Sequence, residues 1–380
     1  MNNPIKILYL IDQLAFGGAE RHLVQVLQKL DRSRFEPHLW VLHGKWDLLP
    51  EVEKMGIPFW HLDVPNILAG QAIRKIPHWT NKIREEKFQI LHTYLFASNI
   101  YGQILGALAG VPLRISGRRE MVTWMGPKHI WFSRLMNRWV HHWIVVSKAV
   151  AKNVSKVEHL PEERLTIIPN GVDIYRFSPD NSFNGYFKET KIPDEAPLIL
   201  NVGSYRPVKG QLTFVQACQK VIKKRPDVHC AIIGEKREPV LSTLQRQLKS
   251  EGERNIHLLP PTSQMSMVYP RASLLVVSSH FEGFSNTILE AGASGVPVVA
   301  TNVGGNPEAV KVVENGVLVP AKNSEAMARA ILNLLADPRK LKGMKRTARD
   351  FVQRNFSLQK MVRTMETYYI QWLEKETRGN

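Results

Sequence analysis

Short, continuous apolar runs alternate with stretches of helical period along the whole chain. In the first half the runs are 5–11 (IKILYLI), 37–43, 57–62, 89–94, 113–117, 143–147 and 165–169. In the second half they are 198–203, 228–234, 255–259, 273–279, 297–301 and 316–320. Between them lie patterns such as AERHLVQVLQKL and NIYGQILGALAG, with apolar positions three and four apart. Strands apolar at every position, rather than at alternate ones, are buried on both faces. Alternation of such strands with helices predicts parallel sheets covered on both sides. The fold class expected is therefore α/β: two Rossmann-like, doubly wound parallel-sheet domains facing a cleft. A stretch rich in Pro, Asn and Asp, RFSPDNSFNGYFKETKIPDEAP, separates the halves and reads as a linker. The boundaries expected are 1–180 for the first domain, 181–355 for the second, and 356–380 for a last helix returning to the first.

At 380 residues the chain is longer than one core usually serves. Cys218 and Cys230 each lie in an apolar run and read as small core residues of a reduced, cytoplasmic protein. The start, MNNPIKILYLID, reads as a first buried strand rather than a cleavable signal. No apolar stretch approaches the roughly 18 residues that would span a bilayer. The formal net charge is +17. It points to an anionic partner, whether nucleic acid, acidic lipid or a phosphorylated substrate, or to solubility alone.

In doubly wound sheets, ligands bind outside the carboxyl ends of the strands, so the chemistry is sought there. After the first strand come Gly17 and Gly18. A glycine pair where a strand turns into a helix lets backbone N–H groups approach an anion; the alternative is an ordinary tight turn. After 198–203 come Arg206 and Lys209, a planar fork and a point charge suited to one diphosphate. After 273–279 comes HFEGFSNTILEAGASG, with Glu282 and Glu290 eight positions apart. At about 100° per residue, eight positions do not align two side chains on one helix face. Glu282 and Gly283 are therefore assigned to a loop, with Ser285 or Asn286 capping a helix that carries Glu290 one turn in. Backbone N–H groups from Phe284 to Thr287 would meet a phosphate, assisted by the helix dipole. Carboxylates on either side of an anion site suggest a sugar nucleotide: ribose at one end, sugar at the other, diphosphate between. The alternative is a capped helix with ordinary surface charges.

With these motifs the chain resembles the retaining glycosyltransferases of family 4, which have the GT-B fold. The resemblance runs over essentially the whole chain. It is carried by Gly17-Gly18, IIPNGVDIYRF (167–177), Arg206 and Lys209, the Glu282/Glu290 pair and TNVGGNPE (301–308). It implies that Glu290 holds the donor ribose, that Glu282 contacts the transferred sugar, and that Arg206 and Lys209 neutralise the diphosphate. It also implies a catalytic set of Glu282, Arg206, Lys209 and His92. The donor set would be Gly17, Gly18, Arg206, Lys209, Glu282, Gly283, Phe284, Ser285, Asn286, Thr287 and Glu290. Many relatives carry His-x-His after the fourth strand, but here Leu91-His92-Thr93-Tyr94 puts a phenol in the second place. His92, Tyr94 and Asn99 are thus alternatives for the group beside the reacting sugar, and Arg118 and Arg119 join Tyr94 and Asn99 as acceptor-side candidates.

The activity expected is transfer of a sugar from a UDP- or GDP-linked donor to an acceptor hydroxyl, with retention and without a metal. The setting expected is cell-surface polysaccharide, lipopolysaccharide or glycolipid synthesis. No Asp-x-Asp pair falls where a metal would be needed, and no separate cofactor is called for. Two other readings stand beside it: a nucleotide-sugar epimerase, and a non-catalytic protein binding anions or nucleic acid. The second lacks a basic reading helix or an aromatic platform. Finally, 127–143 laid on a helical wheel puts Trp131, Phe132, Leu135, Met136, Trp139, Val140 and Trp143 in one half. Ser133, Arg134, Asn137, Arg138 and His141 fall in the other, and Trp124 lies nearby. Such a helix suits peripheral contact with an anionic membrane, or packs its apolar half on the first sheet.

Overall fold

The computed structural model describes residues 3–122, 125–181, 185–188, 190–251, 255–312 and 314–378. Two compact units emerge: Met1–Asn170 with Leu358–Asn380, and Gly171–Ser357.

The first unit holds β1 (Ile5–Ile11), β2 (Phe35–Val41), β3 (Phe59–His61), β4 (Ile90–Tyr94), β5 (Leu113–Arg118), β6 (His142–Val145) and β7 (Leu165–Ile167). They form one parallel sheet in the order β3-β2-β1-β4-β5-β6-β7. The second unit holds β8 (Leu198–Val202), β9 (His229–Ile233), β10 (Ile256–Leu259), β11 (Leu274–Val277), β12 (Val298–Thr301) and β13 (Gly316–Val319). Their order is β10-β9-β8-β11-β12-β13, again parallel. Each apolar run read from the sequence overlaps a strand; the inner strands are buried on both faces, whereas the edge strands β3 and β7 are partly exposed. The strand order reverses between β1 and β4, and again between β8 and β11. These are the two switch points where connections leave in opposite directions and a crevice opens at the strands' carboxyl ends.

The C-terminal helix Leu358–Arg378 belongs to the first unit. Its Met361, Val362, Met365, Tyr369 and Leu373 join the core formed by Ile7, Leu23, Leu27 and Phe35. Trp372 stacks on His142 with ring centroids 4.3 Å apart and planes 4° from parallel. The stretch 176–197, which composition marks as a linker, lies within the second unit where it is described. Phe177, Phe187 and Ile192 are buried, and the Arg349 guanidinium donates to the carbonyls of Ile174 and Phe177.

The segment 127–143 is not one amphipathic helix. An α-helix covers Pro127–Met136, a 3-10 turn covers Asn137–Trp139, and β6 begins at His142. Ser133 and Asn137, placed on the polar half of the wheel, are buried, whereas Trp131 is 65% exposed. The reason is a buried carboxylate: Ser133 Oγ and Asn137 Nδ2 both donate to Glu158. Trp143 is a core residue of β6, and Trp124 lies outside the described residues. Among the described residues no helix is long and apolar enough to cross a membrane.

Candidate active site

In the second unit, the loops after β8, β11 and β12 are locked together. Gly210 has φ +64°, and a Cβ there would sit 2.1 Å from the Ser278 carbonyl oxygen. Only glycine lets the turn at Pro207–Lys209 lie this close to the end of β11. Ser278 Oγ donates to the Lys209 carbonyl at 2.9 Å, and the His280 N–H donates to Val208 at 2.7 Å. From the other side, Gly304 has φ +52°, and its absent Cβ would fall 1.7 Å from the Glu282 carbonyl oxygen. The Gly305 N–H donates to that same oxygen at 3.1 Å. Thr301 Oγ1 donates to the Ser279 carbonyl at 2.6 Å.

The side chains this clamp presents are a cation and an anion in contact. Lys209 Nζ lies 2.9 Å from Glu282 Oε2, which also accepts from Ser279 Oγ at 2.9 Å. Asn201, Ser285 and Thr287 line the same recess. Arg206 is exposed, and among the described residues no ion pair or hydrogen bond holds its guanidinium.

Glu282 lies in the loop after β11, and Glu290 lies one turn inside the helix Asn286–Ala293. Ser285 occupies the N-cap position, but its hydroxyl pairs with Thr287 Oγ1 at 2.9 Å instead of capping a backbone N–H. Phe284 is buried against Phe356, centroids 5.6 Å apart, so its side chain packs, leaving only its backbone for a ligand. Glu290 Oε2 accepts from Tyr269 Oη at 2.9 Å. Burial first, and Glu290 second, push the Tyr269 phenol well above its ordinary value, so it stays a donor.

At the switch point of the first sheet, Gly17 precedes the helix Gly18–Lys29. A Cβ at Gly17 would lie 2.2 Å from the Glu20 carboxylate. The buried Glu20 carboxyl, which burial pushes up, thus stands beside this glycine pair. Asp12 serves the neighbouring helix, accepting from the backbone N–H groups of Ala97 and Ser98 and from Ser98 Oγ.

His92 is buried in β4, with Nδ1 2.6 Å from Tyr369 Oη on the C-terminal helix. Burial, and then Arg119, lower it to about 3, so it is neutral at physiological pH. Tyr94 is 1% exposed and lies against His92 and His22, at centroid distances of 4.5 Å and 5.8 Å. Among the described residues the Tyr94 hydroxyl and His92 Nε2 have no hydrogen-bond partner. Burial pushes the Tyr94 phenol up, against the pull of Arg119. Arg119 donates to Asn170 Oδ1, and burial brings it down to about 10.

Two acceptor-side candidates, Asn99 and Arg118, line the recess at the ends of β4 and β5 and are also bonded to their neighbours. The Asn99 amide donates to the Gly117 carbonyl at 2.9 Å and accepts from Thr93 Oγ1 at 2.7 Å. The Arg118 guanidinium is buried against Glu158, Ser116 and Asn137. Burial raises the Glu158 carboxyl, but Arg118, Asn137 and Ser133 outweigh it and hold it at about 2.

The structure adds Glu20, His22, Asn170, Tyr269, Ser279 and Tyr369 to these sites. His22, Asn170, Tyr269 and Tyr369 carry no sequence signal, since each gains its place only by contact across about twenty residues or more; Glu20 and Ser279 stand three positions from Gly17 and Glu282.

Residues 182–351 match the family described as Glycosyl transferases group 1, and residues 16–176 match Glycosyltransferase Family 4. The chain belongs to these glycosyltransferases. A D-inositol 3-phosphate glycosyltransferase of Thermobispora bispora is 29% identical over 363 residues, 86% of this chain and 83% of that one. The namesake of Segniliparus rotundus is 32% identical over 192 residues, and there the chain spans only 42% of the relative's length. A UDP-Gal:α-D-GlcNAc-diphosphoundecaprenol α-1,3-galactosyltransferase of Escherichia coli is 24% identical over 97% of both chains. Among solved structures, Anabaena HepE in complex with UDP superposes with a TM-score of 0.86 at 19% identity, covering 97% of this chain and 100% of that one. A glycosyltransferase from Rickettsia africae gives 0.87 at 22% identity, covering 98% and 99%. These likenesses establish the GT-B fold of this glycosyltransferase. Among its described residues, no group of three or more His, Cys, Asp or Glu side chains is placed to hold a metal ion.

Proposed function

We propose that this glycosyltransferase uses a nucleotide-diphosphate sugar as donor, retains the anomeric configuration, and works without a metal. The observation that carries the reading is the 2.9 Å contact between Lys209 and Glu282 at the β8/β11 switch point. A donor sugar and its phosphate are separated by one bridging oxygen. A carboxylate for sugar hydroxyls and an ammonium for the phosphate, already in contact, match that separation. Arg206 adds a second cation for the diphosphate, and Glu290, braced by Tyr269, accepts hydrogen bonds from the ribose. Gly283, Phe284 and Asn286 contribute backbone N–H groups, and Ser285 and Thr287 contribute hydroxyls.

The bond between the anomeric carbon and the phosphate oxygen breaks as the acceptor oxygen bonds to that carbon on the same face. The departing phosphate takes the acceptor's proton. Negative charge grows on the leaving diphosphate, so preorganised cations there lower the barrier by several kcal/mol. Arg119 and Tyr94, at the ends of β5 and β4, are the acceptor-side groups. His92 stands behind Tyr94 as a neutral support held by Tyr369. That Anabaena HepE is described with UDP and with UDP-glucose favours UDP as the nucleotide. The Escherichia coli relative, named for a diphosphoundecaprenol-linked acceptor, favours a lipid-linked acceptor in glycolipid or polysaccharide synthesis.

The test is incubation with a panel of UDP- and GDP-sugars, followed by NMR of the products. Slow hydrolysis of one donor with retention is expected. Epimer formation without release of nucleotide would replace this reading with the epimerase one, and inversion would remove the same-face mechanism.

A further inference from the structure

The helix Pro338–Phe356 of the second unit carries Lys342, Lys345, Arg346 and Arg349 on one face. All four line a cavity of about 430 Å³. Like charges four positions apart, as Lys342 with Arg346 and Lys345 with Arg349, destabilise a helix unless an anion meets them. Among the described residues no ion pair does so, and Asp350 is the one carboxylate lining the cavity. The Arg349 guanidinium donates to the carbonyls of Ile174, Phe177 and Ala293, which fix the charge in place without neutralising it. Lys345 is half-buried; burial first, and then Arg271 nearby, lower its ammonium below the ordinary value. In the same wall the Ser294 hydroxyl is buried and, among the described residues, has no hydrogen-bond partner. A buried donor without an acceptor calls for one. The cavity is separate from the cation pair of the candidate active site. Pro270 and Gly295 line it, just before β11 and β12. Lys209 and Glu282 stand after β8 and β11, at the opposite edge of the same parallel sheet.

We infer that this cavity is a second anion site of the protein, which takes a small soluble compound carrying several phosphate charges, such as a diphosphate. Four cations against one carboxylate leave a surplus that a single monovalent ion does not offset. The volume lies within the range of about 300–1,000 Å³ usual for small-ligand sites, far above the roughly 30 Å³ of one water. Guanidinium forks and ammonium points are the donors that suit phosphate oxygens. The cations gather around one concavity instead of spreading along a face, which favours a compact ligand over a duplex or a bilayer.

The experiment is calorimetric titration of the whole protein with inorganic pyrophosphate, with UDP at saturation so that the donor cations are occupied. One binding site is expected, weakened by added salt. Lys342 and Arg346 are both exposed, so replacing them should leave the fold intact. Lys342→Ala/Arg346→Ala should lower pyrophosphate affinity at least about tenfold, with UDP affinity and circular dichroism unchanged. Arg339→Ala/Lys340→Ala takes the same charge from the same helix outside the cavity, and solvent screening should hold its effect below about twofold. Absence of pyrophosphate binding beside bound UDP overturns the inference. So does an equal loss in the two double variants, which would make the effect one of overall charge. Pyrophosphate that UDP displaces, and that binds the Lys342→Ala/Arg346→Ala protein unaltered, would lie in the donor site and also overturns it. Sedimentation with phosphatidylglycerol vesicles that Lys342→Ala/Arg346→Ala abolishes, without pyrophosphate binding, would replace the soluble ligand with a membrane surface. Failure of the native protein to bind UDP would sink the donor reading alone, since the comparison of the two double variants still reads the cavity.

Discussion

The phenol of Tyr269 donates a 2.9 Å hydrogen bond to Glu290, across 21 positions of sequence. The carboxylate proposed for the donor ribose is therefore held from behind by a buried group that does not ionise. Tyr269→Phe removes the brace and keeps the ring. The bond is present before UDP arrives, so its loss costs only the positioning of Glu290, and UDP binding should weaken about three- to tenfold, about 0.6–1.4 kcal/mol. Glu290→Ala removes the ribose contacts themselves, each worth about 1.5–3 kcal/mol, and should weaken UDP more than Tyr269→Phe does. Calorimetry with UDP and GDP decides it; unaltered affinity in a folded Glu290→Ala protein would end this assignment.

Arg206→Ala and Lys209→Ala should lower kcat more than they raise KM. The charge they meet grows as the diphosphate departs, so they favour the transition state over the bound donor. Lys209→Ala also strips Glu282 of its ion pair, whereas Arg206 is unpaired among the described residues. The Lys209 variant should therefore be the more impaired. Activity of the native protein should survive EDTA. A raised KM with unaltered kcat would reduce both cations to docking groups, and rescue of an EDTA-treated sample by Mn²⁺ would require a metal.

Gly304→Ala tests the clamp on Glu282. A methyl group would fall 1.7 Å from the Glu282 carbonyl oxygen, at a φ of +52°. The loop must move, at a cost of about 1–3 kcal/mol for the backbone strain. We expect a lower unfolding temperature and a kcat reduced more than about tenfold, since small misplacements of reacting groups are costly. Gly343→Ala, in the helix Pro338–Phe356 with nothing within 4 Å of the added Cβ, is the control. It should be neutral or stabilising, by up to about 1 kcal/mol.

Stability should fall as pH drops below 6.5. His92 is held down at about 3 by burial and then by Arg119, and His22 is lowered by burial with Arg119 and His92 adding to it. The unfolded chain takes up protons near 6.5 that the folded chain refuses. Stability present above 6.5 is thus lost as pH falls, for His92 between 6.5 and about 3 at about 1.4 kcal/mol per pH unit, with His22 adding to the loss in the same direction. Glu158, held at about 2 against an ordinary 4.5, adds a loss from 4.5 downwards. Urea midpoints at pH 7.5 and 5 should differ less in His92→Gln than in the native protein. Equal slopes would show that His92 does not titrate on unfolding.

Period and composition alone determine much of this protein. Each sheet strand was legible as an apolar run; inner strands buried on both faces leave no polar alternation to confuse them, and the short edge strands β3 and β7 were legible despite partial exposure. Arg206, Lys209, Glu282 and Glu290 were legible because they stand just after such runs, where a doubly wound sheet exposes its strand ends. The helical wheel misled at Ser133 and Asn137. They turn inward to satisfy Glu158, a residue more than twenty positions away that local periodicity cannot see. Asn99 and Arg118 look like ligand groups in the sequence, and in the structure they also bind Gly117 and Glu158. At the glycine pair, the buried Glu20 carboxylate stands beside Gly17. Tyr369 reaches His92 across 277 positions, and Lys209 reaches Glu282 across 73. Hydrogen bonds and ion pairs of this kind form only where packing brings distant segments together. Residue type and spacing therefore decided which chemistry the chain carries, and the tertiary structure decided which of those groups remain free to use it.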